Sequence, residues 1–186
     1  RFVGEGNEKG VRRRVTAGRQ RHLDGVDALV EALKLRFDRR RQRQDARRLL
    51  EESRERAAAV LDCEPIEVVF TSGGTEAINL ALQGMWATRA VGTDAIVLPD
   101  AEHHATLDTV AALTNRGAAV RAVPVSATGE IDVASFAAAL PNAALATALV
   151  ANNEVGTVND AAGLAAAAAA ARVPLHLDAV SAFGHL

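Results

Sequence analysis

Four short clusters in this chain of 186 residues carry side chains fit for chemistry: Thr71-Ser72-Gly73-Gly74-Thr75-Glu76, Glu102-His103-His104, Asn152-Asn153-Glu154 and Asp178. The first says most. Val68, Val69 and Phe70 precede it as a short β-branched and aromatic run, long enough for a buried strand. Ala77, Ile78, Leu80, Ala81 and Leu82 follow it at helical spacing. The pattern predicts a strand, a Gly-rich turn and a helix. A helix N-terminus exposes unpaired backbone N–H groups and a partial positive charge, so such a turn suits a phosphate. The two glycines let the backbone come close to a ligand, and the Ser and Thr hydroxyls add donors. The same pattern also fits a plain strand-to-helix turn with Thr75 as N-cap and no ligand. It is not a nucleotide P-loop, because no Gly-Lys-Ser/Thr follows, and it does not match Gly-x-Gly-x-x-Gly.

The elements that must position these clusters are readable from residue 45 onward. A charged amphipathic helix is expected over 45–61, with Leu49, Leu50, Ala57, Val60 and Leu61 on its apolar side. Strands are expected over 95–98, 118–125, 145–150 and 174–178. Helices are expected over 105–114, closed by Asn115 and Gly117, over 133–140, stopped by Pro141, and from Asp160 as cap to near Arg172. This alternation implies βαβ units: an α/β fold with a mainly parallel sheet and helices on both faces. Ligands in such sheets bind beyond the carboxyl ends of the strands. Each of the four polar clusters follows or ends a predicted strand, which makes their convergence on one site the expectation.

A phosphate cup, a carboxylate and an imidazole able to stack on a ring together describe a site for pyridoxal phosphate. An Asp beside a pyridine nitrogen keeps it protonated, so the ring can accept electrons. An imidazole can lie on the ring and move protons, and an Asn can hydrogen-bond the phenolic oxygen.

Thr71-Ser72-Gly73-Gly74-Thr75-Glu76, Glu102-His103-His104-Ala105-Thr106-Leu107-Asp108, Asn152-Asn153-Glu154-Val155-Gly156-Thr157-Val158 and His176-Leu177-Asp178-Ala179-Val180 resemble the cysteine desulfurases. These belong to the class V aminotransferase group of fold-type-I pyridoxal phosphate enzymes. The resemblance covers residues 44–186, including the helix from Gln44 to Arg54, and implies part of the large, cofactor-binding domain. It implies release of sulfur from L-cysteine, giving alanine and an enzyme persulfide that supplies iron–sulfur clusters or tRNA thiolation. By the same resemblance Gly74 and Thr75 would hold the phosphate, His103 would stack on the ring, Asn153 would meet the ring oxygen and Asp178 would pair with the pyridinium. Ser181 stands where many relatives carry a Gln that touches the ring oxygen. A homodimer and a sulfur-acceptor or scaffold protein are implied partners. His104 is read as flanking the site, His176 as packed within its strand, and Glu76 and Glu154 as orienting backbone groups.

Two groups that the family's reaction needs have no counterpart. The lysines are Lys9 and Lys34, and neither lies in the Ser-x-His-Lys motif that relatives place beyond the Asp178 strand to form the Schiff base. The sulfur-accepting cysteine of the family also lies beyond that point, and Cys63, which follows the first helix, reads as a packing residue. The chain as given is therefore expected to be inactive on cysteine by itself. A selenocysteine lyase or another class V relative is the alternative within the same cofactor class. A generic nucleotide-binding α/β domain is a further one.

Composition sets the remaining bounds. The chain is 49% apolar, enough for a core, and no apolar run is long enough to cross a membrane. No signal-peptide pattern follows Arg1, so a cytoplasmic location is expected. A single Cys excludes an internal disulfide framework and a multi-Cys metal site, and no metal is expected. The net charge of −2 hides a split: residues 1–56 hold 17 of the 21 Lys and Arg and 10 of the 23 Asp and Glu, so they carry about +7 and the rest about −9. Residues 1–43 read as an atypical basic segment with one possible helix, 26–37, and lack the strand motif with which relatives begin. A shifted reading frame would produce such a stretch, and so would a different N-terminus. A non-catalytic protein with a basic arm for nucleic acid is the reading of another class. No aromatic residues are interleaved among the charges to stack bases, so a solvated helix face is preferred.

Overall fold

The computed structural model describes residues 41–185. The basic segment up to residue 40, with its expected helix 26–37, lies outside them. The described residues fall into two units that divide between Val69 and Phe70.

In the first unit, residues 41–61 form helix α1, followed by a one-turn 3-10 segment, Pro65–Glu67. Ion pairs along the helix, Arg48 with Glu52 at 3.7 Å and Arg54 with Glu51 at 3.2 Å, have the i,i+4 and i,i+3 spacing that supports a solvated helix. The predicted apolar side is not covered: Leu49, Leu50, Val60 and Leu61 are exposed. An apolar stripe is buried only where another element packs on it, and the described part of this unit offers just the 3-10 turn.

The predicted strand at Val68, Val69 and Phe70 does not form. These residues have no strand assignment, and Val69 and Phe70 are 62% and 46% exposed. A strand exists through its ladder, and no described strand pairs with this segment. Val68 instead accepts a hydrogen bond at its carbonyl from the Arg54 guanidinium.

The second unit contains helix α2 (Gly74–Ala87), strand β1 (Ala95–Pro99), α3 (His104–Thr114), β2 (Ala119–Val123), α4 (Val133–Ala139), β3 (Ala143–Leu149), α5 (Ala161–Ala171) and β4 (Leu175–Asp178). The four strands are parallel in the order β2-β1-β3-β4. The central strands β1 and β3 are buried along their whole length, and the edge strand β2 is mostly exposed. Side chains alternate between the two faces of β1. Ile96 and Leu98 join Ile78, Leu82 and Trp86 of α2 and Val110 and Leu113 of α3 on one face. Ala95 and Val97 join Phe136 of α4 and Leu164 and Ala168 of α5 on the other.

Local signals explain most helix boundaries. The Asp132 side chain accepts from Ser135 N at 2.8 Å, and the Asp160 side chain accepts from Gly163 N at 2.9 Å. Arg172 takes a left-handed conformation, φ 57°, to end α5. From β1 the chain first steps out to β2 and then crosses back to β3. The direction of winding thus reverses between β1 and β3, where a parallel sheet opens a crevice at its carboxyl edge.

Candidate functional site

That crevice is a cavity of about 300 Å³, lined by Gly74, Thr75, Ile78, His103, Leu149, Asn153, Asp178, Val180 and Ser181. It brings together Gly74, Thr75, His103, Asn153, Asp178 and Ser181, the six residues singled out from the sequence, although they come from four separate segments.

The Gly-rich turn enters α2 with Gly73 as N-cap, and no side chain caps that end. The first-turn amides, Gly74 and Thr75 among them, have no intrahelical acceptor. Thr75 is therefore a first-turn residue and not the cap that a plain turn would use. Gly74 leaves little space: a β-carbon there would lie 2.8 Å from Val180 Cγ2, so the Val180 side chain would have to shift. Of the hydroxyls expected to face a ligand, two are already engaged. Ser72 donates from both N and Oγ to Glu76 Oε2 at 2.6 Å, and Thr71 Oγ1 donates to Gly73 O at 3.1 Å. The Ser72 hydroxyl and amide hold the Glu76 carboxyl below the usual carboxylate range. Glu76 thus braces the turn, as its expected orienting role requires.

His103 is the N-cap of α3. Its Nδ1 accepts from Ala105 N at 3.1 Å. A neutral ring so bonded carries its proton on Nε2, leaving an N–H donor on the other side of the imidazole. His104 meets it edge to face with ring centroids 6.0 Å apart. The two histidines therefore flank the entry to α3, but only His103 lines the larger cavity.

Asp178 ends β4 and is 4% exposed. Its Oδ1 accepts from Val180 N at 3.0 Å, and its carbonyl accepts from Val150 N at 2.9 Å. Two residues earlier, His176 pairs with Thr147 across the β3–β4 ladder, Thr147 Oγ1 to His176 Nδ1 at 2.9 Å. Burial pushes the His176 imidazole down, with the Asp178 charge pulling the other way. His176 is thus packed in its strand, as expected.

Asn153 reaches the cavity from a turn built by Asn152. The Asn152 Oδ1 accepts from Glu154 N at 2.8 Å and Val155 N at 3.1 Å, and its Nδ2 donates to Ala101 O at 3.3 Å. Glu154 takes part through its backbone. Asn159 closes the turn from below, donating to Leu149 O at 2.8 Å and accepting from Ile131 N at 2.9 Å.

Sequence reasoning did not single out Asn152 and Asn159 as supports, the apolar lining Ile78, Leu149 and Val180, or Glu102 as a buried acid. Glu102 is 7% exposed and its Oε1 accepts from Leu149 N at 2.8 Å. A second cavity of about 210 Å³, lined in part by Asp100, Glu102, His104 and Glu154, shares His103, Leu149 and Asn153 with the first. A lone Glu after a strand reads as a surface loop residue, so nothing in the sequence marked its burial. Among the described residues, no Lys or Arg lines either cavity. Among the described residues, no group of His, Cys, Asp and Glu could hold a metal ion, and no helix is long and apolar enough to cross a membrane.

Comparison with known proteins gives this geometry a family. The aminotransferase class-V family matches residues 35–186. An IscS-like cysteine desulfurase of Mycobacterium tuberculosis is 42% identical over 148 residues, covering 76% of this chain and 38% of the relative. A cysteine desulfurase IscS of Methylococcus capsulatus is 34% identical over 140 residues, covering 75% of this chain and 35% of the relative. Among solved structures, a NifS-like protein superposes with a TM-score of 0.71 at 31% identity, over 75% of this chain and 39% of that one. DndA from Streptomyces lividans does so with a TM-score of 0.68 at 32% identity, over 76% and 40%. The chain thus spans less than two fifths of the length of the curated relatives named here, at 38% and 35%. It belongs to the class-V aminotransferase family, and within that family its similarity is to the cysteine desulfurases.

Proposed function

We propose that this chain supplies the phosphate-binding and ring-binding part of a pyridoxal phosphate-dependent cysteine desulfurase. The observation that carries the reading is the convergence of an uncapped helix N-terminus, an imidazole, an amide and a buried carboxylate on one cavity of about 300 Å³.

The residues present fit the cofactor. Gly74 forms a cradle that a β-carbon would fill, and the first-turn amides of α2 offer donors to a phosphate. Asp178 is the buried anion suited to a protonated ring nitrogen. Pyridoxal phosphate, when bound, supplies an electron sink for cleavage next to an amino-acid α-carbon. Gly74 and Thr75 bind the phosphate. Asp178 holds a proton on the ring nitrogen and is itself aimed by Val180 N. His103 orients the ring by stacking, and its Nε2 carries the proton that it can give. Asn153 would hydrogen-bond the ring oxygen, and Ser181 lines the same cavity. Ile78, Leu149 and Val180 form the apolar part of the lining.

A Schiff-base lysine and a sulfur-accepting cysteine are not among these residues: Lys9, Lys34 and Cys63 lie elsewhere in the sequence. Sulfur release from L-cysteine, a homodimer, a sulfur-acceptor protein and a cytoplasmic location go with the reading as parts of it. The test is equilibrium dialysis of the purified chain against pyridoxal phosphate, ATP and NAD. Saturable retention of pyridoxal phosphate alone is expected. Retention of ATP or NAD in its place would refute the reading.

A further inference from the structure

Glu102 is a buried acid that the ring site leaves unused. It lies between β1 and His103, and its Oε1 accepts a hydrogen bond from Leu149 N at 2.8 Å across 47 residues of sequence. Leu149 is the register partner of Asp178 in the β3–β4 ladder, and Val150 N donates to Asp178 O at 2.9 Å. One side chain therefore joins the loop carrying His103 to the strand ends carrying Asn153 and Asp178. Its other oxygen, Oε2, is buried and has no hydrogen-bond partner.

Among the described residues, the charged and titratable groups around it are Asp178 at the end of β4, beside which His176 lies, His103 and His104 at the start of α3, Asp100 before it and Glu154 after β3, with no Lys or Arg among them. A carboxylate at Glu102 would be a second buried anion close to Asp178, with one oxygen lacking any donor. A neutral acid removes the second anion, and burying an unpaired neutral group costs less than burying an unpaired charge.

We propose that Glu102 is a positioning residue of the ring site: as the neutral carboxylic acid it clamps the His103 loop to the end of β3 and leaves Asp178 as the anion facing the ring. The proposal rests on the pyridoxal phosphate reading of the cavity. Burial pushes the Glu102 carboxyl up to about 7; the Leu149 hydrogen bond lowers it and the Asp178 charge raises it.

The test compares the full chain with Glu102→Gln, which mimics the neutral acid, and Glu102→Ala, which removes the clamp. Two readouts are taken: the dissociation constant for pyridoxal phosphate at pH 6, and the urea unfolding midpoint from pH 5 to pH 8. The Gln variant is expected to bind within about threefold of wild type, and the Ala variant about tenfold more weakly. Wild type and the Gln variant should unfold alike at pH 5, and wild type should fall below the Gln variant by pH 8. A Gln variant that binds as poorly as the Ala variant would overturn the proposal, as would a wild type that gains on the Gln variant with rising pH. A wild type that binds no pyridoxal phosphate would overturn the ring-site reading instead, and the midpoint comparison would still decide the protonation state of Glu102.

Discussion

Gly74 and Val180 meet at the cavity with no room for a side chain between them: a β-carbon on Gly74 would lie 2.8 Å from Val180 Cγ2. Gly74 opens α2, and Val180 follows Asp178, so this contact links the phosphate end of the cavity to its carboxylate end.

The first prediction follows from that contact. Gly74→Ala should weaken pyridoxal phosphate binding by about tenfold, because Val180 must shift. The helix itself should not suffer, since Ala is favoured over Gly there. The double variant Gly74→Ala with Val180→Ala should recover most of the affinity. Equilibrium dialysis for binding and urea denaturation for stability check both halves.

His103 has two separable roles. As N-cap of α3 its loss should cost about 1 kcal/mol of stability. His103→Ala should therefore lower both the unfolding midpoint and cofactor binding. His103→Asp can cap the helix but has no ring to stack, so it should restore the midpoint and leave binding impaired. Nitrogen NMR of the neutral imidazole should show Nδ1 unprotonated and Nε2 protonated.

Glu102, buried, and His176, half-buried, oppose each other in pH dependence. The Glu102 carboxyl is raised from 4.5 to about 7 in the fold. The native state then binds more protons than the unfolded state in that window, so stability from Glu102 is full below pH 4.5 and declines by about 3 kcal/mol as pH rises to 7. The His176 imidazole is lowered from 6.5. Its contribution is present above pH 6.5 and is lost as pH falls. His176→Gln should therefore reduce the destabilisation seen on acidification below pH 6.5, measured by unfolding midpoints, while leaving the Glu102 slope in place.

Thr106 is fully buried, and its hydroxyl has no partner. Thr106→Val keeps the shape and removes the unpaired group. A gain of about 1 kcal/mol in urea unfolding is expected.

How far the sequence could be read depends on where each signal originates. Strands β1 and β3 were legible because fully buried strands are short apolar runs bounded by turns. Helix α4 was legible from the Pro141 that stops it and α5 from the Asp160 cap, local signals that need no tertiary partner. The convergence of His103, Asn153 and Asp178 was legible because they follow or end β1, β3 and β4, and a parallel sheet brings those ends together; Gly74 and Thr75 join them from the start of α2, with no strand before it. Val68, Val69 and Phe70 misled because β-propensity does not supply a neighbouring strand. Leu49 and Val60 misled because helical periodicity does not supply a covering element. Glu102, Asn152 and Asn159 were illegible as supports because their partners, Leu149, Ala101 and Ile131, are distant or unmarked in sequence. The Ser72 hydroxyl was assigned to a ligand when Glu76, four residues on, already accepts it.

The central claim is tested most directly by a crystal structure of the chain grown with pyridoxal phosphate. The account predicts the phosphate at the N-terminus of α2 against Gly74 and Thr75, the ring against His103 and the ring nitrogen beside Asp178. Pyridoxal phosphate bound in the reverse orientation, bound elsewhere, or missing from this cavity at saturating concentration would contradict it.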